Sequence, residues 1–449
     1  MFAYEMKNAN TYNFSSLGEL EAIVAREGYD IPISRDTSSL SRTVDIDAGE
    51  KVYTLKNSIS VHPMEGFDGE EDGSPSDLTR RRYLRFAASG AALLWSEAIA
   101  VVPEGRTSDH QLMITPENVD KYAEMIAEVK KITDAPIIAQ LTHSGRFSKN
   151  KFTPHPIIMQ QNTEIEKVRP QDVGTPPVSD EYLDQLHARY AEAAVLAVRA
   201  GFDGVDIKIC HQYLLSEALS SFLREGKYGG SYENRTRLIK DIFTAVRAYL
   251  PKDKILASRF GVSDMLPYPY GYGTDKGDAA KFDLTEAKRL LSELMDEFGL
   301  SLIDMTMGSP YIAPHINRPY NKGGYVAPEP PLAGVSRLLS AAKEIKTALQ
   351  ALTVVGTGYS YLRECSPNVA SAALDGGYCD VVGFGRMAFA YDTFAKDMLA
   401  GKFNSAKTCI TCSKCTELMR HGSVTGCPIR DQEIYLPIYR KNVMEADKK

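Results

Sequence analysis

From about residue 51 the chain alternates short runs rich in β-branched and apolar residues with amphipathic segments, which is the rhythm of a parallel α/β domain. Eight runs are predicted as strands, at 58–63, 92–101, 136–142, 204–209, 255–260, 302–305, 352–357 and 380–383. The clearest helix is predicted over 180–200. There Leu183, Leu186, Tyr190, Ala193 and Ala197 recur at spacings of three and four, and Gly201 can close the last turn. The stretch 91–102 is almost wholly apolar, but it is short and interrupted by Glu97, so it reads as a buried strand and not a membrane span.

Eight strand–helix units between residues 51 and 400 fit a (β/α)₈ TIM barrel better than a doubly wound sheet. No GxGxxG follows an early strand, which weakens the dinucleotide-fold alternative. Long Pro- and Gly-rich connections at 143–179, 261–281 and 306–333 follow the third, fifth and sixth strands. That is the face on which barrels build sites, so these loops are expected to cover a pocket. The division expected is an N-terminal arm at 1–50 with one helix over 16–27, the barrel at 51–400, and a tail at 401–449.

Composition narrows the function classes. With 449 residues, 43% of them hydrophobic, the chain can bury a large core. A net charge of −6 gives no reason to expect nucleic acid or an anionic membrane surface. The opening MFAYEMKNAN lacks a basic region and an apolar run, so no secretory signal is read there and a cytoplasmic location is expected. Four of the seven cysteines crowd between Cys409 and Cys427, which suits metal ligation in a reducing compartment better than a disulfide framework.

The segment GFDGVDIKICHQYLLSEALSSFLREGKYGGSYENRTR at 201–237 leaves the fourth strand. Further pieces follow in a fixed order: LKNSISVHPM at 55–64, SEAIAVVPEGR at 96–106, QLTHSGR at 140–146, SRFGVSD at 258–264 and GFGRMA at 383–388. Together these closely resemble the Old Yellow Enzyme, or NADH:flavin oxidoreductase, family over roughly residues 52–427. The resemblance implies an FMN-binding barrel. It places Gln140 on the pyrimidine edge of the flavin, Arg259 near N1/O2, backbone of Pro63, Met64 and Ala98 against the ring, and Gly358, Gly385 and Arg386 around the phosphate. Each residue alone has a structural reading, as strand-end Gln and Arg pairings are common; their joint placement carries the expectation.

The resemblance also implies a catalytic set of Lys208, His211 and Tyr213. In the family the first two positions grip a substrate oxygen, the flavin donates a hydride to an electron-poor alkene, and the Tyr protonates the adjacent carbon. A phenol suits that role as a weak acid that needs no prior ionisation. Two residues depart from the pattern: Lys208 stands where most relatives have His, and Glu65 stands where a small residue or Cys is usual. Lys208 either faces the ligand, favouring an anionic one, or pairs with Asp206 or Glu217. His315, in GSPYIAPHINRPY, sits on a loop where cluster-bearing relatives carry a His that assists protonation; a structural hydrogen bond is the alternative.

Residues 409–427 read C-x2-C-x2-C-x11-C. Three thiolates in a tight turn plus a distant fourth can hold the corners of a cubane cluster. The pattern resembles the 4Fe-4S site after the barrel in 2,4-dienoyl-CoA reductase and trimethylamine dehydrogenase, so Cys409, Cys412, Cys415 and Cys427 are the expected ligands. Structural zinc usually pairs its ligands as two CxxC units and fits less well. Cys210, Cys365 and Cys379 read as buried apolar thiols.

The resulting expectation is an ene-reductase acting on a small molecule with an electron-poor alkene, using FMN, a 4Fe-4S cluster and NAD(P)H as a candidate reductant. In the cluster-bearing relatives a second flavin-binding half follows, and here the chain stops at Lys449. A separate redox protein (a ferredoxin, a flavodoxin or a flavin reductase subunit) is therefore expected, and homo-oligomerisation is left open. The alternatives are an amine dehydrogenase, for which an aromatic cage is the discriminator, and a non-catalytic electron-transfer flavoprotein.

Overall fold

The computed structural model describes residues 14–151 and 153–446. Eight parallel strands close into a barrel: β1 (Ile59–Val61), β2 (Leu93–Ala100), β3 (Ile137–Thr142), β4 (Gly204–Ile207), β5 (Ile255–Gly261), β6 (Leu302–Thr306), β7 (Thr353–Gly356) and β8 (Val381–Phe384). Closure is made by β8 on β1, with Gly383 opposite Ser60 and Phe384 opposite Val61. Helices follow the strands in turn. After α1 (Leu17–Glu27) in the N-terminal arm come α2 (Asp77–Ala88), α3 (Val119–Lys130), α4 (Asp180–Arg199), α5 (Tyr232–Tyr249), α6 (Thr285–Phe298), α7 (Pro331–Ala348) and α8 (Ser366–Asp375). Ser179 caps α4, and its predicted inner face is buried against the barrel.

The arm packs on the barrel, but its predicted boundary at residue 50 cuts an antiparallel hairpin, Val44–Asp47 with Val52–Leu55. Ile46, Tyr53 and Leu55 of this hairpin pack with Leu93, Trp95, Ile138, Ile255, Leu302, Val355 and Val381. Leu93, Ile255, Leu302 and Val381 are the first residues of their strands, so the hairpin seals the barrel floor and the strand-end face is left for chemistry. Nearer the chain start, Ser16 caps α1, and the arm is tied to α7 and α8 by Asp30 N–H on Ser336 Oγ (2.9 Å) and Ser39 Oγ on Asp375 (2.6 Å).

Glu97, the charge inside an apolar strand, has a specific cause. The ladder between β2 and β3 shifts register between Trp95 and Ala98. Glu97 and Asp68 both bind the buried guanidinium of Arg82 on α2. A side chain at Gly66 would collide with that guanidinium, its Cβ falling 1.9 Å from Nη1. Gly66 N–H donates to Glu97 at 2.7 Å. The loop leaving β1 is thereby clamped to β2 and α2, and it carries Met64 and Glu65 into the mouth of the barrel.

Candidate active site

A cavity of about 120 Å³ at the strand-end face is lined by Pro63, Met64 and Glu65 after β1, Gln140 on β3, Lys208, His211 and Tyr213 after β4, and Arg259 on β5. The loop after β6 adds Tyr311, Asn317 and Arg318, and the tail adds Cys415, Thr416, Met419 and Thr425. A second cavity of about 80 Å³ shares Met64, Arg259, Asn317, Arg318 and Arg386 with it and is completed by His62, Gly358, Ser360, Gly383 and Gly385.

Asp206 organises the floor. It accepts from Trp95 Nε1 at 3.0 Å, Gln140 Nε2 at 2.6 Å and Arg259 N–H at 2.6 Å. Burial pushes its carboxyl up to about 6 against these hydrogen bonds. With its amide nitrogen bound to Asp206, Gln140 keeps its carbonyl oxygen as a free acceptor. Arg259 donates to Pro63 O at 3.0 Å and lies 3.6 Å from Asp304, which also binds His62 Nδ1 at 3.0 Å.

Lys208 is buried, and its ammonium lies 3.9 Å from Glu65 Oε1 and 3.9 Å from the centre of the Tyr213 ring. Its partner is therefore neither Asp206 nor Glu217, which bind Gln140 and Arg146 respectively. It is Glu65, the other residue that departs from the family pattern. Burial raises the Glu65 carboxyl and lowers the Lys208 amine, and each charge partly restores the other.

His211, at φ +68°, accepts at Nε2 from Asn317 Nδ2 at 3.1 Å, which leaves the ring proton on Nδ1. Burial, reinforced by Arg259 and Lys208, holds it neutral. Tyr213 immediately precedes the short helix Leu214–Leu219, and its hydroxyl meets that of Tyr311 at 2.9 Å. Burial keeps the Tyr213 phenol protonated far above its usual range. Phe147, Tyr213 and Tyr311 form an aromatic wall, with Phe147 stacked on Tyr311 at 4.2 Å.

Two expected residues lie elsewhere. His315 is not among the cavity residues; its Nδ1 meets Tyr325 Oη, and burial lowers it to about 4. Ala98 lines neither cavity, and its carbonyl accepts from Gln111 Nε2 at 3.1 Å. Conversely Tyr311, Asn317 and Arg318 were not singled out from the sequence. Arg318 is half-buried without a carboxylate partner among the described residues, and burial followed by the Arg386 and Arg420 charges lowers it to about 10. Arg386 donates to Pro319 O at 2.7 Å, while its Nη1 has no partner among the described residues. Two adjacent cations, Arg386 buried and Arg318 half-buried, stand beside Gly358, which turns at φ +104°, and call for an anion. A flavin phosphate fits that end, and Gln140 and Arg259 fit the ring end.

Cys409, Cys412, Cys415 and Cys427 line one small cavity with Arg386, Phe389 and Ile410. The loop folds round it through left-handed Thr411 and Ser413, and Thr411 N–H donates to Cys409 Sγ at 3.4 Å. Among the described residues no group of three His, Cys, Asp or Glu side chains converges tightly enough for a single metal ion. Cys415, Arg386 and Phe389 also line the larger active-site cavity.

Residues 46–365 match the NADH:flavin oxidoreductase / NADH oxidase family. The chain belongs to that family. It is an FMN-dependent oxidoreductase of the Old Yellow Enzyme type. An NADPH dehydrogenase of Clostridium acetobutylicum is 30% identical over 278 residues, covering 60% of this chain and 74% of that one. The structure of 2-naphthoyl-CoA reductase with 2-naphthoyl-CoA matches at TM-score 0.71 and 17% identity, covering 88% of this chain. 6-Hydroxypseudooxynicotine amine oxidase of Pseudomonas geniculata N1 matches at TM-score 0.66 and 19% identity, covering 90% of this chain. The chain spans 57% and 56% of those two longer chains, and at such identities they speak for the fold alone. Among the described residues no helix is long and apolar enough to cross a membrane.

Proposed function

We propose that this flavoenzyme is an ene-reductase that saturates an electron-poor C=C bond. The observation that carries the reading is Tyr213, a buried phenol held protonated in the same cavity as Gln140, Arg259, His211 and Lys208. FMN, held at the ring by Gln140 and Arg259, would supply the hydride when bound and reduced. Neutral His211, positioned by Asn317, and the Lys208 ammonium offer donors to the carbonyl oxygen, so negative charge developing there is stabilised. Tyr213 gives its proton to the α-carbon, and Tyr311, hydrogen-bonded to it, can pass on a replacement.

In the same reading the tail holds a 4Fe-4S cluster through Cys409, Cys412, Cys415 and Cys427. Four thiols spread around a cavity suit the corners of a cubane better than one tetrahedral ion. The shared residues Cys415 and Arg386 support electron exchange between that site and the flavin, with a ferredoxin, flavodoxin or flavin reductase as partner and NAD(P)H as reductant at the flavin.

An amine dehydrogenase is the second reading, favoured by the aromatic wall of Phe147, Tyr213 and Tyr311. Against it, the Lys208 ammonium already covers the Tyr213 face and would repel a substrate cation. Anaerobic dithionite-reduced protein offered enones, enoates, enoyl thioesters and, in its oxidised form, tertiary amines separates the two. Flavin reoxidation by an alkene is the expected result; flavin reduction by an amine with no response to any alkene overturns it.

A further inference from the structure

The cysteine cavity has two sides. Arg386, Phe389 and Cys415 also line the active-site cavity, whereas Ile410, Lys414, Ile429 and Arg430 line the cysteine cavity alone. The first set faces the flavin end. The second faces outward: Ile410 is 38% exposed and Arg430 is exposed. Ile410 stands between Cys409 and Cys412, on a loop set by left-handed Thr411 and Ser413. An apolar side chain is thereby held at the surface beside the thiols.

The charge round that surface is one-sided. Residues 401–430 carry five cations (Lys402, Lys407, Lys414, Arg420 and Arg430) and one carboxylate, in a chain whose net charge is −6. Arg430 Nε donates to Thr408 O at 3.1 Å and Lys414 Nζ to Tyr439 Oη at 3.0 Å, which fixes both cations beside the cysteines. Lys407, next to Thr408, is 52% exposed. The neighbouring carboxylates already have partners. Glu417 accepts from Tyr439 Oη, and buried Asp431 is held by Arg81 at 2.8 Å. Asp397, 4.0 Å from Lys407, accepts from Thr393 at 2.8 Å, and exposed Glu433 lies in the field of Arg81. An apolar centre with a cationic rim is the layout of a protein interface, and such a rim steers an acidic partner into register.

We infer that this face, centred on Ile410 and rimmed by Lys407, Lys414 and Arg430, docks a small acidic one-electron carrier protein that exchanges electrons with the cluster held by the four cysteines. The inference rests on the cluster reading above and adds to it the surface and the charge of the partner. Each encounter moves one electron and breaks no bond. Two reduced carriers are oxidised for each flavin reduced, with one proton taken from water. That hydride and the Tyr213 proton together saturate the alkene.

The test is anaerobic calorimetric titration of flavin- and iron-loaded protein with an acidic ferredoxin and an acidic flavodoxin, and with basic cytochrome c as the opposite-charge probe. At least one acidic carrier should bind, more weakly as salt is raised, and cytochrome c should not. Lys407→Glu and Arg430→Glu should each weaken that carrier roughly 10-fold, and Lys407→Gln should weaken it less. Iron and flavin are assayed on every sample; where Arg430→Glu loses iron, Lys407→Glu decides. Equal affinity in parent and Lys407→Glu overturns the inference, as does tighter binding of cytochrome c than of either acidic carrier. A salt-dependent self-dimer that Lys407→Glu dissolves also overturns it, by giving the face to a second copy of the chain. Parent protein that cannot be loaded with iron refutes the cluster reading and this inference together. Iron-loaded parent that ignores both acidic carriers refutes this inference alone.

Discussion

The Lys208 ammonium and the Glu65 carboxylate lie 3.9 Å apart, joining the end of β4 to the loop after β1 across the mouth of the barrel. Each is costly to bury alone, and pairing offsets part of that cost. The expectation that Lys208 by itself would favour an anionic substrate is therefore altered, because a carboxylate entering here also meets Glu65. Glu65→Gln should tighten binding of a small carboxylate roughly 10-fold by freeing the ammonium, and Lys208→Met should weaken it by a similar factor. A neutral enone should respond less to either change. Flavin absorbance titrations read all of these, and an unchanged carboxylate affinity in Glu65→Gln would show that the pair does not govern charge selection.

Tyr213→Phe keeps the ring that packs on Phe147 and Tyr311 and removes only the acid. Flavin reduction should be nearly unchanged, while reoxidation by an alkene should slow by roughly 10²-fold or more. Stopped-flow traces of the two half-reactions separate the effects. Equal reoxidation rates would pass the proton to another donor.

Protein prepared without oxygen should carry about one FMN and about four irons per chain. Cys412→Ser should lower the iron content and its visible absorption. Iron that stays absent after anaerobic reconstitution, with zinc in its place, would refute the cluster.

Arg82 neutralises two buried carboxylates, Asp68 and Glu97. Arg82→Leu leaves both without a cation and should cost about 3–5 kcal/mol of stability, read from denaturant midpoints. The loop carrying Met64 and Glu65 should loosen with it, giving weaker flavin retention.

Burial lowers His143 to about 3, and His211 is held well below its ordinary 6.5. In the unfolded chain both protonate near 6.5, so below that pH the unfolded state binds more protons and stability falls as pH falls. The full contribution is present above about 6.5. Urea midpoints between pH 7.5 and 5 should therefore drop, with a shallower slope in His143→Gln. A slope identical to the parent's would mean that His143 does not contribute.

All eight strands were legible because each is a short apolar run bounded by turn residues, and the core needs little more than that pattern. Pairings across the barrel were not legible. Lys208 meets Glu65 only because β1 and β4 both empty into the same mouth, and periodicity within either segment carries no trace of it. His315 shows a different limit. Pro314–Asn317 is a single helical turn, and residues two apart on such a turn point about 200° apart. Asn317 thus faces the cavity while His315 turns to Tyr325, although the two are equally plausible in the sequence.

Thr416, Met419 and Thr425, which follow the barrel, stand in the same cavity wall as Pro63, Met64 and Glu65 after its first strand, and Arg318 Nη1 donates to Thr416 Oγ1 at 2.7 Å. During synthesis the barrel strands emerge well before those tail residues. The cofactor chamber therefore cannot be finished on the ribosome until the residues up to Thr425 are out, and a nascent barrel without them offers flavin only an open bowl. Tight flavin capture becomes a late event that reports the arrival of the tail, so truncated products, however well their barrels fold, should emerge colourless.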